Sequence, residues 1–141
     1  MNRKKFISTC CYTAIGVPLI ASSLQGCGGL HYATAIQENG RLIIRKTEFD
    51  NNGKLRRFIL VNVDTMEFPI CIYRTGMDKY IASLMKCTHQ ACELNVGGGM
   101  YTCPCHGSEF SVEGEVLHGP ASEKLKTFKI TSDDENIHIS L

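Results

Sequence analysis

Four residues within a short stretch of this 141-residue chain could hold a metal centre: Cys87, His89, Cys103 and His106, spaced as Cys-x-His and Cys-x-x-His with 13 residues between the pairs. They lie in the segment KCTHQACELNVGGGMYTCPCHGSEFSVEGEVLHGPA, residues 86–121, where cysteine, histidine and glycine concentrate. A thiolate and an imidazole two or three residues apart on a tight loop can close on one centre, and glycines at 97–99 and 107 permit the positive φ values such loops use. Cys92 and Cys105 stand beside them. Residue types alone leave three chemistries open: two structural disulfides, a closed zinc site of two Cys and two His, or a 2Fe-2S cluster with one iron on two Cys and the other on two His. The pair spacing is not the Cys-x2-4-Cys with His-x3-5-His usual for structural zinc. Disulfides alone give no reason for His89 and His106.

The elements that must position these residues read as β throughout. With 43% hydrophobic and 21% charged residues, 13 glycines and no Trp, the composition is that of one folded domain rich in short elements and turns. No ten-residue stretch after Ala33 has helical period. Strands are expected at Leu42 to Arg45, Arg57 to Asn62, Ile70 to Arg74, Tyr80 to Lys86, Leu125 to Ile130 and Ile137 to Leu141, bounded by turn signals such as Asn39-Gly40, Asn51-Asn52-Gly53, Thr75-Gly76 and Asp133-Asp134. The spacing predicts an all-β fold with the cysteine-rich loops between the strands at Tyr80 and Leu125.

The N-terminus reads as an export signal over residues 1–26: Arg3, Lys4 and Lys5 precede an apolar stretch from Phe6 to Leu24, which Ser8, Thr9, Thr13, Pro18, Ser22 and Ser23 make a poor membrane span. Leu24-Gln25-Gly26-Cys27 resembles a bacterial lipobox, which makes Cys27 the expected lipidation site, residues 27–35 a short tether and 36–141 the folded domain. Arg3-Lys4-Lys5-Phe6-Ile7 is also a loose twin-arginine-like pattern. Without the signal's three basic residues, the remainder carries 12 basic and 14 acidic side chains, a balance that argues against nucleic-acid binding. The expected location is the bacterial periplasm or cell envelope, with attachment to the membrane through Cys27.

Of eight cysteines, Cys10, Cys11 and Cys27 belong to the N-terminal segment, and Cys71 between Ile70 and Ile72 reads as a small buried hydrophobe. The remaining pattern, C-T-H-x-A-C followed by C-P-C-H-G-S, resembles the two boxes of the Rieske iron-sulfur proteins, in detail over about residues 80 to 130. The resemblance implies an antiparallel β-sandwich with a loop-rich cluster-binding subdomain. It implies one 2Fe-2S cluster, with Cys87 and Cys103 on one iron and His89 and His106 on the other, nearer the surface. It further implies a disulfide between Cys92 and Cys105, as in cytochrome bc-type and arsenite-oxidase-type members. Ser108 matches a serine that donates to a bridging sulfide, and Gly119-Pro120-Ala121 resembles the proline loop that covers the cluster. Two positions depart from the quinol-oxidising pattern: Phe110 replaces a frequent Tyr, and Gln90 replaces a frequent Leu. His118, His31 and His138 have no ligand spacing.

Two imidazoles in place of two thiolates leave such a centre neutral when oxidised, so it accepts an electron at a higher potential than an all-cysteine cluster. The expected function is one-electron transfer in a membrane respiratory or oxidoreductase chain, with a cytochrome, quinol or oxidoreductase partner, as an electron-transfer component and not a stand-alone catalyst. The rivals are a zinc-stabilised binding module and a ferredoxin-like component of an oxygenase.

Overall fold

The computed structural model describes residues 29–141, so the expected signal, the lipobox and Cys27 lie outside the described residues. The strands are β1 (Ala35–Glu38), β2 (Arg41–Arg45), β3 (Asp50–Asn51), β4 (Lys54–Leu55), β5 (Phe58–Val61), β6 (Ile70–Gly76), β7 (Lys79–Leu84), β8 (Asn95–Gly97), β9 (Met100–Thr102), β10 (Glu109–Ser111), β11 (Val116–His118), β12 (Thr127–Ser132) and β13 (Asn136–Ser140). A 3-10 helix, Lys46–Phe49, follows β2. Seven strands form a sheet in the order β1-β2-β13-β12-β7-β6-β5, and four form a second in the order β11-β10-β9-β8; β3 and β4 make a separate hairpin. All six expected strands are present, with ends within two residues of those expected. None of the described helices is long and apolar enough to cross a membrane.

The large sheet is strongly curled. Strand β12 pairs with β7 through Thr127 and Phe128 and with β13 through Lys129 to Ser132, so it turns the corner between the two halves. The halves face each other across a core of Leu42 and Ile44 from β2, Ile137 and Ile139 from β13, and Ile59, Val61, Ile70, Ile72 and Ala82 from β5 to β7. This is the sandwich arrangement expected from the sequence.

Side chains alternate across a strand. In β5 and β6 the partners of those core residues, Leu60, Cys71 and Tyr73, face the opposite way into a second core. There the four-stranded sheet covers them with Tyr101 and Phe110, and the loops beyond it add Met85, Leu94, Cys87, Cys103 and Leu125. This explains the unbroken apolar runs Phe58-Ile59-Leu60-Val61 and Ile70-Cys71-Ile72-Tyr73: strands covered on both faces need apolar residues on both.

The folded part begins earlier than the expected boundary at residue 36. Within the stretch expected as tether, Tyr32 bridges Leu60 in parallel, the Leu60 N–H donates to the His31 carbonyl at 2.9 Å, and the Ala33 N–H donates to the Leu60 carbonyl at 2.8 Å. Strand β5 is an edge of the large sheet, and its outward backbone groups need partners; residues 31–33 supply them. Three residues are too few to show a period in the sequence.

Candidate metal centre

Two hairpin loops carry the residues singled out in the sequence, and their backbones repeat one another. In the first, Lys86 pairs with Glu93 across six residues that begin at Cys87; in the second, Thr102 pairs with Glu109 across six that begin at Cys103. In the first loop the Cys87 N–H donates to the Cys92 carbonyl at 2.8 Å, and the Ala91 N–H donates to the Cys87 carbonyl at 3.0 Å. In the second the Cys103 N–H donates to the Ser108 carbonyl at 2.8 Å, and the Gly107 N–H donates to the Cys103 carbonyl at 3.0 Å. The fifth position of each loop has positive φ, 53° at Ala91 and 77° at Gly107. In both hairpins the first position is a buried cysteine and the next four are mostly or wholly exposed.

The two loops place unlike side chains on this common frame. The third position is His89 in one loop and Cys105 in the other; the fourth is Gln90 and His106; the sixth is Cys92 and Ser108. Cys92 and Cys105 are joined by a disulfide that ties the hairpins together. The His89 and His106 rings, both on exposed residues, lie 5.0 Å apart, edge to face. The Cys87 and Cys103 thiols are free and lie in the second core. Burial disfavours the Cys103 thiolate, but the backbone groups of Cys105 and His106 and the Cys87 side chain outweigh it and hold the thiol below its ordinary value. The Cys103 sulfur lies within 4.8 Å of the Cys92 and Cys105 sulfurs, but the disulfide leaves those two no thiolate to offer.

A third segment closes over the hairpins. The Ala121 N–H donates to Ser108 Oγ at 3.0 Å inside the protein, and the Thr88 hydroxyl donates to the Glu123 carbonyl at 2.6 Å. Ser108 is fully buried, and because its oxygen accepts from Ala121 its own proton is free to be donated. Pro120 is exposed, preceded by a cis peptide bond after Gly119, while the following Ala121 is buried. Phe110 is fully buried among the residues beneath the two cysteines.

The other histidines and Cys71 sit apart from this arrangement. His31 meets Glu48 at 2.8 Å and His138 meets Asp133 at 2.7 Å, while His118 is exposed on β11. Cys71 is fully buried, and burial pushes its thiol up to about 12, as suits a neutral core residue. The sequence reading passed over Thr88, Ala91 and the Ala121 N–H. The roles of Thr88 and Ala121 follow from long-range packing, whereas Ala91 becomes visible once the two boxes are aligned on Cys87 and Cys103, because it then stands opposite Gly107.

Two free buried thiols, one held toward its thiolate, below two exposed imidazoles form a donor set that fits a 2Fe-2S cluster of mixed ligation. Comparison with known proteins points the same way. Residues 41–129 match the sequence model of the Rieske 2Fe-2S domain family. Cytochrome b6-f complex iron-sulfur subunits of Synechococcus sp. (strain JA-2-3B'a(2-13)) and Prochlorococcus marinus (strain MIT 9211) are 41% and 39% identical over 56 residues, which cover 38% of this chain. The match spans about a third of those relatives' length, 33% and 32%. The cyanobacterial plasma membrane Rieske protein PetC3 from Synechocystis PCC 6803 aligns with a TM-score of 0.54 and 31% identity, over 60% of this chain and 87% of that one. The chain belongs to the Rieske 2Fe-2S domain family.

Proposed function

We propose that this protein is a one-electron carrier whose 2Fe-2S cluster is held by Cys87 and Cys103 on the inner iron and His89 and His106 on the outer. The observation that carries the reading is the pair of matching hairpins, with two free buried thiols at their bases and two imidazoles 5.0 Å apart at their tips. When bound, such a cluster takes up and releases one electron at a time. The chain's own residues set the conditions. Cys87 and Cys103 offer sulfur from within an apolar core that excludes water. Ser108 has a hydroxyl proton to aim at a sulfur. The disulfide and the Thr88 hydroxyl hold the loops in place.

The exposed imidazoles supply the side from which an electron can leave. Around them the hairpin tips, residues 88–92 and 104–107, contain no Asp, Glu, Lys or Arg, and Leu117 in β11 is 55% exposed. Tips without charge suit close apposition to an apolar face of a redox partner, and Lys86, Glu123 and Lys126, which line the pocket beside His89, place charges at the edge of that contact. The relatives named as cytochrome b6-f subunits support a cytochrome or quinol oxidoreductase partner. Gln90, in place of a frequent Leu, leaves the donor's identity to that partner. Export and anchoring through Cys27 belong to the same proposal and rest on the sequence pattern Leu24-Gln25-Gly26-Cys27.

Iron and sulfide analysis together with electron paramagnetic resonance of the reduced protein tests the cluster. Two irons, two acid-labile sulfides and a rhombic reduced signal are expected. A colourless protein with one zinc per chain would overturn the reading. His106→Cys is expected to keep a cluster while lowering its potential, because a thiolate adds negative charge where the imidazole was neutral.

A further inference from the structure

The end of the fold at which the chain enters carries a surface that the redox chemistry does not use. Gly29 and His31 line a groove of about 390 Å³ with Asn51, Lys54, Leu55, Arg56, Arg57 and Phe58. The lining holds three permanent cations and no carboxylate. The exposed Lys54 and Arg57 have no ion-pair partner among the described residues. Arg56 Nη1 donates to the carbonyls of Glu48 and Asp50, which fixes the β3–β4 hairpin while keeping its charge. The acids nearest in sequence are engaged: Glu48 with His31, and Asp50 with the Gly53 N–H.

An apolar side chain stands among these cations. Leu55, between Lys54 and Arg56, is 56% exposed, whereas Leu30 turns the other way, toward Met85, Leu94 and Pro104. Cations flanking an exposed leucine form the pattern of a surface that rests on anionic lipid headgroups while inserting an apolar group between them. The patch also lies away from the site at which Cys87 leaves the sheet. Val61, Ile70 and Leu84 pair in register at that end, whereas Arg57 precedes Phe58, whose partner is Tyr73.

We propose that this face, formed by Lys54, Leu55, Arg56 and Arg57, docks on an anionic membrane surface and orients the domain. The inference rests on the reading that Cys27, two residues ahead of Gly29, is a lipid anchor. Such an anchor delivers this end of the domain to the bilayer within the reach of a few residues.

The chain contains no Trp, so Leu55→Trp in the full-length protein introduces a single interfacial reporter at an exposed position. With vesicles of phosphatidylcholine and phosphatidylglycerol, its emission is expected to shift to the blue and to be quenched by brominated lipid. Phosphatidylcholine alone should leave it unshifted, and Lys54→Glu with Arg57→Glu should weaken the response roughly tenfold or more. Leu117→Trp, at the cluster end, should stay in water throughout. Flotation with vesicles of phosphatidylcholine alone, which offer no anionic charge to dock on, reports the anchor separately. If the protein floats there but Trp at 55 stays solvated on the anionic vesicles, the anchor stands and docking falls. If Trp at 55 shifts on the anionic vesicles while the protein does not float with phosphatidylcholine alone, docking stands and the anchor reading falls. A shift indifferent to lipid charge or to the double charge reversal overturns the proposal.

Discussion

Phe110 lies fully buried beneath the two cysteines, and what it lacks relative to tyrosine is one hydroxyl able to donate to a thiolate sulfur. A net hydrogen bond of about 1 kcal/mol that favours the reduced, more negative state corresponds to roughly 40 mV in a one-electron couple. Phe110→Tyr is therefore expected to raise the midpoint potential by about that amount, measured by protein-film voltammetry; no rise would show that the hydroxyl does not reach a sulfur. Ser108 carries two duties, accepting from the Ala121 N–H and offering its own proton. Ser108→Ala strands a buried N–H and should cost about 1–3 kcal/mol in thermal unfolding as well as lowering the potential. Tyr101 is the contrasting case: its buried hydroxyl faces the Cys71 thiol and the Ser83 hydroxyl without a well-formed hydrogen bond, so Tyr101→Phe is expected to change stability by less than about 1 kcal/mol. The four candidate ligands were legible from residue type and spacing. The partners of Ser108 and Thr88 were not, because they come from a segment more than ten residues away that packing alone brings near.

At the level of elements, the two hairpins share one frame, and the frame makes unequal demands on their residues. The left-handed fifth position suits Gly107 and strains Ala91. A side chain at 107 would meet nothing within 4 Å, so Gly107→Ala should cost only the conformational penalty, about 1–2 kcal/mol, while Ala91→Gly should be neutral or stabilising, both read by chemical denaturation. The disulfide closes a span of 13 residues, for which loop-closure arguments give about 3 kcal/mol. Cys92→Ser with Cys105→Ser is expected to lower the temperature of cluster loss, followed by visible circular dichroism. Strands of the large sheet were legible because Leu42 to Arg45 and Ile137 to Leu141 bury alternate residues, and Ile70 to Arg74 forms an apolar run. The second sheet was not legible. Its strands are three residues long and separated by glycine-rich loops, and Tyr101 and Phe110 are each a lone apolar anchor without a period around it.

For the whole molecule, two cores share one set of strands. Cys71 points into the core beneath the cluster loops, and its thiol is held neutral to about 12, against 9.0 for an unburied thiol. Above pH 9 the unfolded chain releases this proton while the folded chain keeps it, so the folded state binds more protons and stability falls as pH rises. The expected slope from this group is up to about 1.4 kcal/mol per pH unit between about 9 and 12. Cys71→Ala should remove that share in denaturant titrations, leaving the fall that the buried Tyr101 hydroxyl, raised above 10.0 by burial, adds at the upper end. The all-β character was legible at this scale from the absence of helical period. How the sheet curls was not, since it depends on β12 dividing its partners between β7 and β13.

The pairing of residues 31–33 with Leu60 has a mechanical consequence. Strand β1 lies at the far edge of the sheet, but the chain ahead of it is first fastened, in parallel, to β5 at the other edge. A pull on the chain before Leu30 therefore loads the hydrogen bonds at His31 and Ala33 together, in shear along β5. Strand β1, which would otherwise be peeled away one bond at a time, is shielded, and the load falls on a strand whose residues enter both cores.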